Sequence, residues 1–160
     1  MNVLIVTESC FGNTRRFADA VVGGLTSRGA VVTVTAASDA TPEMMNGVDL
    51  LLVGAPTHNR GLPGPASRRT AAAQGARPDV TGVAEWLDGM DEWRGRAAAF
   101  CSVSGTGFIN GSAARKIVKK LQRYTIDVVG TENFLVGAAE GPPADGELER
   151  AEKWGASLVG

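Results

Sequence analysis

This chain of 160 residues has only one histidine and two cysteines, Cys10 and Cys101. They are too few for a disulfide framework or for a four-ligand zinc site. Charge of one sign is also missing. The formal net charge of −1 gives no positive field with which to grip a nucleic acid, and no strong acidity for docking onto basic partners. Long hydrophobic runs are absent as well. The first apolar run, residues 3–6, is far too short for a signal peptide or a membrane span, and no later segment is long enough either. The expectation is therefore a protein of the cytoplasm, away from membranes and nucleic acid. There is no internal repeat, and only residues 66–80 look loose in composition.

What remains is ordinary for a globular protein. A composition 44% hydrophobic and 21% charged, spread over 160 residues, suits one domain, 1–160, with its own core. Val3-Leu4-Ile5-Val6 has almost no polar alternation, the pattern of a strand buried on both faces. Phe17, Val21 and Leu25 recur at helical spacing, and Gly29 is placed to end that helix. Residues 31–34 and 50–53 predict two more strands, with a short helix between them begun by Thr41-Pro42. A weak helix is expected within 66–77, and another capped by Thr81 that buries Val83, Ala84 and Leu87. Residues 97–101 predict a fourth strand, and Ser112 caps the helix after it. Residues 126–129 and 134–136 read as two pieces of a last strand, before a final helix carrying Leu148, Ala151 and Leu158.

Strands alternating with helices imply a parallel sheet covered on both faces. The expected fold is α/β: a doubly wound five-stranded parallel sheet, strand order 2-1-3-4-5. In such sheets a ligand sits beyond the carboxyl ends of the strands, where successive connections diverge. The loops opening at Thr7, Gly54 and Ser102 stand there, and all three have unusual compositions.

The first of them runs Thr7-Glu8-Ser9-Cys10-Phe11-Gly12-Asn13-Thr14 straight into a helix. Hydroxyls and backbone N–H groups at the positive end of a helix dipole attract a phosphate. The same residues would also serve simply to turn the chain and cap the helix. Leu4-Ile5-Val6, Ser9, Gly12-Asn13-Thr14 and Ala18 together resemble the FMN-phosphate signature of flavodoxins, met in full. Gly54-Ala55-Pro56-Thr57-His58 resembles the family's second flavin loop. Gly141-Pro142, Gly146-Glu147-Leu148-Glu149-Arg150-Ala151 and Trp154-Gly155 are similar to a late stretch of the family. Residues 66–96 match it least.

The resemblance implies a flavodoxin-like fold, FMN as cofactor, and electron transfer to a redox partner protein by a monomer or homodimer. Ser9, Cys10, Phe11, Gly12, Asn13 and Thr14 would cradle the phosphate. Pro56, Thr57 and His58 would line one side of the flavin ring, and Ser102, Val103, Ser104, Gly105 and Phe108 the other. Two departures stand out. His58 occupies the place of an aromatic ring, either contacting the flavin or facing solvent. The third loop lacks the acidic-glycine-aromatic pattern and has Ser102-Val103-Ser104-Gly105-Thr106-Gly107 instead. Both weaken the stacking that disfavours the reduced, anionic flavin, which brings in an FMN-dependent reductase of quinone type fed by NAD(P)H.

A non-redox rival uses Cys10 and Arg16. A cysteine, five residues and an arginine resemble the phosphate cradle of low-molecular-weight cysteine phosphatases. Three features disagree with it. Residues 7–9 separate Cys10 from the strand, Phe17 stands where a hydroxyl residue is expected, and the late Asp-Pro acid is replaced by Asp145-Gly146. Arg115, Lys116, Lys119, Lys120 and Arg123 read as a solvated helix face, with a docking patch as the sharper alternative.

Overall fold

The computed structural model describes residues 1–105, 110–138 and 140–160. The strands are β1 (Asn2–Thr7), β2 (Val31–Ala36), β3 (Leu50–Pro56), β4 (Gly95–Val103) and β5 (Ile126–Leu135). The helices are α1 (Asn13–Ser27), α2 (Pro65–Ala73), α3 (Val83–Asp88), α4 (Ala113–Leu121) and α5 (Glu147–Ser157). The sheet is parallel throughout, in the order β2-β1-β3-β4-β5 expected from the sequence.

The unbroken apolar runs of β1 and β3 follow from this layout, because each strand is covered on both faces. Leu4, Val6, Leu51, Val53, Ala97 and Ala99 face one way and share a core with Val83 and Leu87 of α3 and Ile117 and Leu121 of α4. Val3, Ile5, Leu50, Leu52, Ala98 and Phe100 face the other way, against Phe17, Val21 and Leu25 of α1 and Ala151 of α5. On that second face α1 and α5 approach until their backbones nearly touch. A Cβ on Gly24 would land on the Glu152 carbonyl, and one on Gly155 on the Val21 carbonyl.

Three local expectations are revised. The last strand is one element rather than two pieces, with a register shift opposite Ala97 and Ala98. Its polar middle, Gly130-Thr131-Glu132-Asn133, is tolerated because β5 is an edge strand and Arg150 pairs with Glu132 at 2.7 Å. The Thr41-Pro42 segment forms only a 3₁₀ turn, Pro42–Met45, and the Thr41 side chain does not cap it. For α3 the cap position is Gly82 rather than Thr81. Its first N–H groups are taken by carboxylates: Glu85 accepts from Gly82 at 3.2 Å and Glu8 from Val83 at 3.0 Å. Ser112 does cap α4, its Oγ accepting from the Arg115 N–H at 3.2 Å.

Among the described residues, no helix is long and apolar enough to cross a membrane. No group of three His, Cys, Asp or Glu among them could hold a metal ion.

Candidate functional site

At the carboxyl ends of β1, β3 and β4 the three loops close on a single cleft. Ser9, Cys10, Phe11, Asn13 and Thr14 line it from the first loop, Pro56, Thr57 and His58 from the second, and Ser102 and Ser104 from the third, with Val136 beside them. Backbone bonds hold the loops together: the Glu8 N–H donates to Gly54 and the Thr57 N–H to Ser102, each at 3.0 Å.

The helix entry turns on a glycine. Gly12 stands at the cap position with φ of 91°, a conformation natural to glycine. Gly12 has no side chain with which to cap the first turn of α1, and no acidic residue lies in that turn. The positive end of the helix dipole faces the cleft. Ser9 Oγ accepts the Gly12 N–H at 3.0 Å, which leaves its own O–H to donate. Thr14 Oγ1 and Ser102 Oγ lie 3.4 Å apart and share one proton, so the pair also keeps a donor.

Not every residue expected at the site reaches the cleft. Val103 is buried in the core, and its carbonyl accepts the Val136 N–H at 2.9 Å. Gly105 packs beside the Asn110 side chain. Phe108 lies outside the described residues. Arg16, the second half of the phosphatase pattern, is exposed on α1.

His58 does not face solvent freely. It opens a tight turn in which His58 and Gly61 exchange two backbone bonds of 2.8 Å, with Asn59 at φ 48° and Arg60 at φ 67°. This primed turn places an arginine in left-handed backbone, at a cost of about 1–2 kcal/mol. The His58 Nδ1 is 3.0 Å from Ser67 Oγ. That hydroxyl also accepts from the Gly64 N–H at 3.0 Å and lies 3.2 Å from the Gly64 carbonyl, so the ring is held to the start of α2. Burial, reinforced by Arg68, pushes the imidazole pKa down, and the ring is neutral at neutral pH.

Sequence reading missed the support behind this loop. Glu8 is fully buried, and Arg68 of α2 reaches it at 2.6 Å through Nε. The same guanidinium makes two bonds of 2.7 and 2.8 Å to Glu85 and one of 3.2 Å to the Pro63 carbonyl. Burial raises the Glu8 pKa against the pull of Arg68, whereas hydrogen bonding from Arg68 lowers that of Glu85 to about 2. The first half of the loose stretch, up to Ala73, is thus a helix riveted to the first loop by one arginine.

The same surroundings act on Cys10. Burial, and then the Glu8 charge, push its thiol up to about 11. A phosphatase nucleophile needs the opposite shift. Site-resolved alkylation of the native protein by iodoacetamide should therefore be slow at Cys10 at pH 8, where about a thousandth is thiolate, and climb toward pH 11. Rapid labelling near pH 6 would restore the nucleophile.

A parallel sheet of this order, with a hydroxyl-flanked helix entry at its switch point, defines a doubly wound α/β protein of the flavodoxin-like fold. The sequence matches the flavodoxin family over residues 5–154, and the chain belongs to that family. Flavodoxins bind FMN and carry electrons to partner proteins. No curated protein matches the sequence. Among solved structures, the fold is similar to a flavodoxin from the domain Archaea, with TM-score 0.70 and 20% identity over 99% of this chain and 96% of that one. Flavodoxin 1 from Bacillus cereus is similar at TM-score 0.69 and 21% identity, covering 99% and 97% of the two chains. A flavodoxin, WrbA-like protein from Agrobacterium tumefaciens follows at TM-score 0.62 and 17% identity, covering 99% and 94%.

Proposed function

We propose that this chain binds FMN in the three-loop cleft and works as an electron carrier between redox proteins. The observation that carries the reading is the convergence of the α1 N-terminus with the loops, Ser9, Asn13 and Thr14 lining the same cleft as Pro56, Thr57, His58 and Ser102. The donor set fits FMN: hydroxyls and helix N–H groups for a phosphate dianion, and two flanking loops for a flat ring. Bound there, FMN would supply the one- and two-electron chemistry. The protein's own part is to hold the phosphate, set the ring between the second and third loops, and control charge beside it.

His58 bears on the choice between carrier and reductase. A cation beside the ring would favour the reduced flavin's negative charge. A neutral imidazole tied to Ser67 offers a flat face without that charge. That supports the carrier over the NAD(P)H-dependent reductase, although the absent aromatic pair supports the reductase.

Anaerobic mixing of the FMN-loaded protein with NADH or NADPH and a benzoquinone decides between them. The carrier reading expects no sustained NAD(P)H oxidation by the protein alone, and reduction of its flavin once a flavoprotein reductase is added. Steady turnover without a second protein would install the reductase.

A further inference from the structure

A second cavity, of about 520 Å³, opens on the α3 side of the sheet and shares no lining residue with the three-loop cleft. It arises from the short β2–β3 crossover. There the chain supplies only the four-residue turn Pro42–Met45, and the neighbouring α3 has six residues, against fifteen in α1. Two such short elements leave the sheet face between them incompletely covered. Met45, Trp86, Met90 and Trp93 wall the gap, half-buried and packed on the core beneath.

The rim is of one sign. Glu43, Asp91 and Glu92 border the opening, are exposed, and form no ion pair among the described residues. Glu85, at the inner end, is already engaged by Arg68. No lysine, arginine or histidine among the described residues lines the cavity. Indole faces attract cations, thioether side chains adapt to irregular apolar bodies, and the volume is that of a small-molecule site.

We propose that this cavity binds a small organic cation, an ammonium group carried on an apolar or aromatic body. The carboxylates exclude anions. They also select against a neutral apolar molecule, whose entry would leave three charges unanswered and partly desolvated. The inference stands apart from the flavin reading, since the two sites have no residue in common.

Benzyltrimethylammonium is the probe, titrated into the nitrogen-15-labelled protein with and without FMN while the three indole N–H signals are followed. Trp93→Phe and Trp86→Phe assign two of them, and Trp154 follows by difference. The Trp86 and Trp93 signals should shift saturably. Trp154, packed edge-on against Phe100 and Phe134, should stay still. Benzyl alcohol should bind at least about tenfold more weakly. The surface variant Asp91→Asn/Glu92→Gln should keep the folded spectrum and lose about five- to tenfold in affinity for the cation alone. Absence of saturation, equal response to the neutral probe, or equal movement of Trp154 would overturn the proposal. An unaltered FMN affinity throughout separates its failure from any failure at the flavin site.

Discussion

Arg68→Ala should lower the unfolding free energy by about 3–5 kcal/mol. The arginine is 5% exposed and Glu8 is not exposed at all. Removing the cation leaves Glu8 charged in the interior with only the Val83 N–H to answer it. It also frees Glu85 and cuts α2 from the first loop. The check is the urea midpoint, with Arg68→Ala/Glu8→Gln as the companion variant. If the cost is mainly the orphaned Glu8 charge, the double variant recovers part of it. A loss below about 1 kcal/mol would show that water reaches Glu8 and that the trio behaves as a surface pair.

The trio also makes stability depend on pH, with opposite signs at its two ends. Glu85 has its folded pKa depressed from 4.5 to about 2, so its contribution is present above 4.5 and lost as pH falls toward 2. Glu8 has its folded pKa raised by burial, so its contribution is present at low pH and lost as pH rises through the folded value. The acid limb of the stability profile should therefore be shallower in Glu85→Gln than in the parent.

Thr14→Val should weaken FMN binding about 10- to 150-fold and leave riboflavin binding nearly unchanged. The substitution keeps the shape of a buried side chain and removes one hydroxyl from the helix entry. A hydrogen bond to a charged group contributes about 1.5–3 kcal/mol, which sets that range. The partner hydroxyl, Ser102, remains in place and loses only a 3.4 Å neighbour. Equal losses for both flavins would move Thr14 from phosphate binding to support of the loop.

The halves of the molecule that were legible in the sequence are those where the physics is local. Val3 to Val6 reads as a doubly covered strand because both faces do in fact meet helices. The first loop reads as an anion site because strand, glycine turn and helix start follow one another within a few residues. What was illegible depends on distant partners. Arg68 is one of two adjacent arginines in an alanine-rich helix, and nothing nearby says that one of them points at a carboxylate sixty residues earlier. Glu8 sits inside the quoted loop, but its role requires Arg68 and Val83 beside it. His58 gains its partner only in the fold, where Ser67 Oγ lies 3.0 Å from Nδ1. The last strand was divided in two because its polar middle looks like a turn, and only its edge position and Arg150 make it a strand.

The most direct test of the account is a fluorescence titration of the flavin-free protein with FMN, and with riboflavin in parallel. Hydroxyls and helix N–H groups aimed at one anion predict FMN binding at least about 100-fold tighter than riboflavin, since two or more charge-assisted bonds separate the ligands. Equal affinities, or no binding of either flavin, would contradict a phosphate site at Ser9–Thr14 and with it the carrier function.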